Sequence, residues 1–140
     1  MSLVSLKELL VVAAVLDVAE NADRKPIAAR ALAHHLKISP RYLEPLLQAL
    51  ARRGVLKSIR GSRGGYRLAR EPNQITADAI LRAVRNSADE QDSAAMKSPL
   101  VSQVVVPHLA SAEVAFSMAL ARITVAGLMR MAKMIQRPAA

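Results

Sequence analysis

The sequence of 140 residues contains no cysteine, which excludes disulfides, thiolate metal sites and cysteine nucleophiles. Aromatic residues are scarce, with one Phe, two Tyr and no Trp, so Leu, Val, Ala and Ile must form the core, as in closely packed helices. The longest apolar run, Leu9–Leu16, is too short to span a bilayer, which needs about 20 residues. No basic leader precedes this run. We therefore expect a cytoplasmic globular protein that makes no membrane contact.

Positive charge is concentrated in one part of the chain. Between Arg41 and Arg70 the sequence has eight Lys and Arg residues and a single carboxylate, Glu44, which gives this segment +7 of the net charge of +9. Each phosphate that a cation neutralises releases condensed counterions, so a confined basic block is typical of a polyanion-binding surface. The alternative is a solvated face that serves only solubility.

The apolar spacing of the first half predicts a helix-turn-helix. A first helix over residues 6–20 is expected to bury Leu6, Leu9, Leu10, Ala13, Leu16 and Ala19. A short second helix over residues 28–35 follows. The third starts with Ser39 as N-cap and Pro40 at its first position, buries Leu43, Leu46, Leu47 and Leu50, and ends at Gly54.

Polar residues on the outer side of the third helix are candidates for reading base edges in the major groove. Arg can bind guanine, Glu can accept from cytosine N4, and Tyr can reach a phosphate or a thymine methyl. The outward positions are Arg41, Tyr42, Glu44, Pro45, Gln48 and Arg52. Pro45 removes one helical hydrogen bond and is expected to bend the helix. The alternative is that these are ordinary surface residues of a small helical domain.

A β-hairpin is predicted directly after the third helix, where residues 55–60 and 66–69 flank the turn Gly61-Ser62-Arg63-Gly64-Gly65. In a winged helix this hairpin is the wing, and its Arg60 and Arg63 would reach the adjacent minor groove. No Lys-Ser/Thr pair follows the glycines, so the turn is a poor match to a nucleotide-binding P-loop.

The second half of the chain predicts a helical extension. A fourth helix over residues 77–85 is capped by Thr76, residues 87–99 form a polar loop, and residues 100–135 are helical, with a break or restart at Pro107 and a cap at Thr124. A heptad-like seam favours a homodimer, although the same face could fold back on its own subunit. The seam residues are Leu109, Ala112, Phe116, Ala119 and Ile123.

The sequence resembles the Rrf2 family of bacterial transcription regulators, the IscR- and NsrR-like winged-helix proteins. The resemblance runs through Ile38–Leu47 and Ile59–Leu68, with further matches at Leu16–Ala19, Ile75–Val84 and Arg122–Leu128. It implies a homodimer that reads a palindrome, with base contacts from Arg41, Tyr42 and Glu44 and a minor-groove contact from Arg60. Arg41 and Pro45 depart from the small and amide residues often found there, so a different operator sequence is expected.

The resemblance also raises the question of a metal centre. Members that sense iron, nitric oxide or redox state hold an iron–sulfur cluster with three cysteines in the loop that corresponds to Ser87–Pro99, and this sequence has none. The histidines His34, His35 and His108 have no ligand motif beside them. We therefore expect no metal, no cofactor and no enzymatic activity, and the sequence does not identify a small-molecule effector.

These observations together predict a mainly α protein with a winged helix-turn-helix domain (1–86), a loop (87–99) and C-terminal dimerisation helices (100–135). The predicted function is sequence-specific binding of double-stranded DNA as a homodimeric repressor. The alternatives are a protein-interaction module and a non-specific nucleic-acid binder. The predicted DNA-binding residues are Ser39, Arg41, Tyr42, Glu44, Gln48, Arg52, Arg60, Ser62, Arg63 and Gly64.

Overall fold

A computed structural model of the chain describes residues 3–21, 24–85 and 97–136. The described part is mainly helical with a two-stranded antiparallel hairpin, as predicted. Residues 87–96 of the predicted loop over 87–99 lie outside the described residues. The elements are α1 (Leu6–Glu20), α2 (Ala29–Leu36), α3 (Pro40–Arg52), β1 (Leu56–Ile59), β2 (Gly65–Leu68), a 3₁₀ turn (Pro72–Gln74), α4 (Ala77–Val84), a π-helical turn (Val101–Val105), α5 (Val106–Ala121) and α6 (Val125–Gln136).

Three hydroxyl side chains begin helices as the sequence predicts. Ser39 Oγ accepts from the backbone N–H of Arg41 at 3.1 Å at the start of α3. Thr76 Oγ1 accepts from Ala79 at 3.1 Å, and Thr124 Oγ1 accepts from Gly127 at 3.0 Å. The predicted starts of α3, α4 and α6 are therefore confirmed.

The inward face predicted for α1 is wrong except at Ala19. The helix buries Val11, Ala14, Val15, Val18 and Ala19, whereas Leu6 and Leu9 are 72% and 52% exposed. α1 is apolar around most of its circumference, so its spacing contains several equally good stripes, and only packing against α2, α4 and α6 selects one.

The core of the winged domain is built from aliphatic side chains, as the scarcity of aromatics requires. Among its fully buried members are Leu32 of α2, Leu43, Leu47 and Leu50 of α3, Leu56 of β1, and Ile80 and Leu81 of α4. The buried face of α3 is therefore held against α2, α4 and β1. This packing fixes the direction in which the opposite, polar face of α3 points.

Two short backbone pairings, which the sequence did not predict, join distant segments. Ile27 and Tyr66 exchange two backbone hydrogen bonds of 2.9 Å, which adds a third extended segment to the edge of the hairpin. The N–H of Ala77 donates to Ile123 at 2.8 Å, and the N–H of Val125 donates to Ile75 at 2.9 Å. The second pairing holds the beginnings of α4 and α6 together.

α5 begins at Val106 directly after the π-helical turn, with Pro107 in its first turn. The α-helix therefore restarts near this proline, but the predicted break does not occur, because Val105 and Val106 both keep right-handed helical backbone angles. The C-terminal end of the helix is fixed to the winged domain by the buried Leu120 and by Val125 beyond it. Most of the remaining helix is exposed. By length and composition, Val101–Ala121 is apolar enough to cross a membrane, with a mean hydropathy of 1.6. The sequence prediction missed this because polar residues interrupt the apolar run.

Candidate nucleic-acid interface

The outer face of α3 carries a stripe of polar side chains. Arg41, Glu44, Gln48 and Arg52 lie at positions i, i+3, i+7 and i+11, which share one side of a helix. All four are exposed. Tyr42 lies beside the stripe and is 46% exposed, a large fraction for an aromatic side chain. The structure therefore presents the predicted base-reading residues of α3 together on one solvent-facing surface.

The start of α3 also faces solvent, because both Ser39 and Pro40 are exposed. Pro45 does not interrupt the helix, which runs continuously from Pro40 to Arg52. It removes the hydrogen bond that the carbonyl of Arg41 would otherwise accept within the helix.

The wing is a hairpin whose turn requires glycine. Its strands pair from Leu56 opposite Leu68 to Ile59 opposite Gly65. The turn is closed by the N–H of Gly64 donating to Gly61 at 3.0 Å. A Cβ at Gly64 would collide with the carbonyl oxygen of Ile59, and a Cβ at Gly65 would collide with the backbone of Ile27. Gly64 is half-buried, and the predicted contact residues Arg60, Ser62 and Arg63 are exposed around it.

The strands of the wing carry two more cations. Lys57 and Arg67 are directly opposite each other in the register of the hairpin, and both are exposed. Like charges at such a pair of positions destabilise a hairpin. Both residues belong to the basic block of the sequence, and their position opposite each other was not predicted, although the alternation of buried and exposed residues along each strand indicates it.

Within the part of the chain that the structure describes, the cations of this surface have no acidic partners. The ion pairs of the described residues involve Arg24 with Glu71, His35 with Asp17, Arg82 with Asp78, and Arg85 with Glu8. None of them includes a cation of α3 or of the hairpin. We call the exposed residues of this surface the basic face: Ser39, Arg41, Tyr42, Glu44, Gln48, Arg52, Lys57, Arg60, Ser62, Arg63 and Arg67.

Glu44 connects α3 electrostatically to the base of the wing. Burial, and secondarily the negative charge of Glu44, raises the pKa of the Tyr66 phenol above its ordinary value of 10.0. Tyr66 lies in β2 and is buried. The single carboxylate of the basic face is therefore close to the hairpin, where α3 also packs against β1.

The predicted dimer seam is divided between two environments. Leu109 is 62% exposed, and Ala112, Ala119 and Ile123 are also exposed. Phe116 is half-buried against the core of its own chain, with the guanidinium of Arg85 6.0 Å from the centre of its ring. Other apolar side chains of α5 are also exposed, among them Val114 and Met118.

Comparison with known proteins gives a consistent result. The family described as "Rrf2: Iron-dependent Transcriptional regulator" matches residues 7–131. A protein of Synechocystis sp. described as an HTH-type transcriptional regulator is 42% identical over 78 residues, which are 56% of this chain and 53% of that protein. The HTH-type transcriptional regulator IscR of Aliivibrio salmonicida is 38% identical over 78 residues, 56% of this chain and 46% of IscR. The chain thus spans about half the length of these curated relatives.

Solved structures extend the similarity over nearly the whole chain. The structure of T. potens IscR has a TM-score of 0.74 and 28% sequence identity, and it covers 98% of this chain and 93% of that one. The structure of CymR, the global cysteine regulator of B. subtilis, has a TM-score of 0.66 and 25% identity, and it covers 94% and 98%. The similarity therefore includes the C-terminal helices as well as the winged domain.

Proposed function

The chain belongs to the Rrf2 family of DNA-binding transcriptional regulators, which are not enzymes, and we propose that it acts in the cytoplasm as a homodimeric repressor of a palindromic operator. The observation that carries this proposal is the basic face, which combines exposed cations that have no acidic partner among the described residues with side chains suited to reading bases. Solubility alone does not require such cations to lie on a helix and an adjoining hairpin.

We assign base reading to the outer stripe of α3. Arg41 and Gln48 can form bidentate contacts with guanine and adenine, respectively, and Glu44 can accept from cytosine N4. A purely electrostatic binder gains nothing from a carboxylate in its basic surface, so Glu44 favours sequence-specific binding. The start of α3, at Ser39, adds backbone N–H groups suited to a phosphate. Tyr42 and Arg52 flank the stripe and can contact the backbone.

We assign the wing to the adjacent minor groove. Arg60 and Arg63 project from a turn that glycines keep narrow, and arginine is the residue attracted by the negative potential of a narrow minor groove. Ser62 and the backbone at Gly64 can contact the sugar–phosphate chain. Lys57 and Arg67 behind the turn complete the wing as phosphate contacts, because a phosphate neutralises their mutual repulsion.

The homodimer is proposed from the exposed apolar surface of α5. Leu109, Val114 and Met118 are each about 60% exposed, and burial of an aliphatic side chain of this size stabilises an assembly by roughly 1.5–3 kcal/mol. A second copy that brings the same helix would cover this surface symmetrically. Phe116 contacts its own chain, so the exposed seam residues are left to meet the partner, and Leu109 is the most exposed large one among them.

A bilayer is a poor alternative cover for α5. The helix packs along α4. Arg82 of α4, Arg85 directly after α4, and Glu113 of α5 line the space between the two helices. Lipid around α5 would surround these charged groups, which is costly in hydrocarbon. A protein surface can leave the same groups hydrated.

The iron named in the family description does not fit this chain. The sequence offers no thiolate, and in the parts of the chain that the structure describes no three His, Asp or Glu side chains come close enough together to hold a metal ion. Iron–sulfur clusters are held by cysteine thiolates, with histidine replacing some of them in certain centres. We therefore assign no role to iron.

The proposal is tested by selecting bound fragments from a random duplex pool and measuring binding of the selected operator by gel shift. We expect one enriched palindrome and a clear loss of affinity for a scrambled duplex, because each mismatched base pair costs roughly 1–3 kcal/mol. Glu44→Gln should change the selected sequence. Arg130→Gln, which removes an exposed charge on α6 outside the basic face, is the matched control and should not. Equal affinity for all duplexes would contradict the proposal, and enrichment of single half-sites would contradict the dimer.

A further inference from the structure

Two neighbouring cavities lie along the contact between α4 and α5. Their volumes are about 390 and 310 Å³, and they share Arg82, Glu113 and Ser117 in their walls. The larger one is completed by Arg53, at the C-terminal end of α3, and by Arg85 and Phe116. We call this larger cavity the arginine groove. Its walls come from the ends of α3 and α4 and from α5, and Arg53 directly follows Arg52, the last of the predicted DNA-binding residues on α3.

The three guanidinium groups of the groove keep free hydrogen-bond donors. Arg82 donates its Nε–H to Asp78 at 2.8 Å. Arg85 donates to both carboxylate oxygens of Glu8, at 3.5 and 3.2 Å. These bonds use few of the five N–H groups of each guanidinium. Among the described residues, Arg53 forms no ion pair, so its whole guanidinium remains available.

Glu113 limits what the groove can accept. It belongs to the walls of both cavities, and in the described part of the chain no salt bridge occupies its carboxylate. A simple anion bound by the arginines would have Glu113 as an uncompensated negative neighbour. A ligand that also carries an ammonium or hydroxyl group would give this carboxylate a donor.

We propose that the arginine groove is an effector site for a small organic anion that combines carboxylate oxygens with a hydrogen-bond-donating group, as an amino dicarboxylate does. Arg53 and the free donors of Arg82 and Arg85 hold the carboxylates, and Glu113 receives the donor. The volume is at the lower end of ordinary ligand sites, which suits a metabolite of a few carbon atoms.

The position of the groove connects such a ligand to DNA binding. Arg53 is the C-cap residue of α3, with its N–H bonded to Ala49, and Glu113 belongs to the helix on which the proposed dimer depends. A ligand held by both residues favours one placement of α3 relative to α5 over another. It shifts operator affinity to the extent that it binds more tightly to one placement than to the other. This regulatory role rests on the proposed function, whereas ligand binding can be measured without DNA.

The test measures binding of aspartate, succinate and inorganic phosphate to the full chain. Binding is monitored by calorimetry and by the NMR signals of the arginine Nε–H groups. We expect aspartate to bind more tightly than succinate, which lacks the ammonium group. Arg53→Gln should weaken both by about tenfold or more, because charge-assisted hydrogen bonds are lost. Glu113→Gln should remove the preference for aspartate. Arg130→Gln keeps wild-type binding.

Each of the opposite outcomes overturns one part of the proposal. Absence of saturable binding with all three probes overturns the site, and so does an equal loss of affinity in Arg53→Gln and Arg130→Gln. Tighter binding of phosphate than of aspartate overturns the ligand class. Aspartate binding without any change in operator affinity overturns the effector role. In all of these cases, specific operator binding in the gel shift would leave the proposed function standing, and its absence would contradict that function independently.

Discussion

The paired cations of the wing allow a prediction in which DNA binding and stability change in opposite directions. The perturbation is the double variant Lys57→Gln with Arg67→Gln. In the folded hairpin these side chains face each other across the strands without an acidic partner among the described residues, so their removal relieves repulsion. On DNA the same removal deletes two proposed phosphate contacts from each subunit.

The magnitude follows from the number of cations on the basic face. Each chain presents six exposed ones that form no ion pair with any residue at described positions: Arg41, Arg52, Lys57, Arg60, Arg63 and Arg67. A dimer that used all of them would give a slope of log affinity against log salt near about −11, since each phosphate contact contributes about −0.9. The double variant removes four contacts per dimer, so its slope should be shallower by about 4. The free energy of unfolding should rise by up to roughly 1 kcal/mol.

The assay is fluorescence anisotropy of a labelled operator over a series of salt concentrations, combined with thermal unfolding followed by circular dichroism. The charge-matched control is Arg130→Gln with Lys133→Gln, which removes two exposed cations of α6 and should leave the slope unchanged. An unchanged slope in the wing variant would refute the assignment of these residues to phosphates. An equal change in the control would show that overall charge, and not the basic face, determines the salt dependence.

Four further outcomes are expected. Arg60→Ala should weaken operator binding by roughly 1–3 kcal/mol and Arg63→Ala by less, and wild-type affinity of the Arg60 variant in a gel shift would show that the wing is only structural. Leu109→Asp should yield a folded monomer in sedimentation, whereas Phe116→Asp should also lower the melting temperature because Phe116 packs on its own chain; a dimeric Leu109 variant would exclude this interface. The purified protein should contain no iron–sulfur cluster, since it has no cysteine, and stoichiometric iron and sulfide would contradict this. The raised pKa of Tyr66 means that its neutral form is favoured in the folded state. Its contribution to stability is therefore complete below pH 10.0 and is lost as the pH rises through the folded-state pKa. In unfolding experiments, Tyr66→Phe should reduce the loss of stability at alkaline pH.

The orientation of α3, the proposed DNA-reading helix, could be predicted in detail because its two faces differ strongly. In α3 the buried Leu43, Leu47 and Leu50 alternate with charged residues, so a single register satisfies the spacing. In α1 nearly every position is apolar, and the spacing alone led to the wrong face. Sequence periodicity is therefore informative about orientation only where polar residues mark the solvent side.

Features that depend on contacts between distant segments could not be predicted. The backbone pairings of Ile27 with Tyr66 and of Ile75 with Val125 involve ordinary apolar residues without a local signal. The arginine groove brings together side chains from three helices. A heptad spacing in α5 also could not reveal that Phe116 faces its own winged domain, because a partner helix and the chain's own core present the same kind of apolar surface.

The attachment of α5 at one end makes the helix a lever arm. Its C-terminal end is fixed by Leu120 and by the pairing of Val125 with Ile75, while residues 106–112 at the opposite end are all exposed. The 16 residues of the helix span about 24 Å, so a tilt of roughly 10° at the fixed end displaces the other end by about 4 Å. In a symmetric pair joined through these arms, the distance between the two reading helices, and hence the operator spacing that fits them, depends on the few residues between Leu120 and Val125. Inserting a single residue there would change which operators the protein can span without altering any side chain that contacts a base.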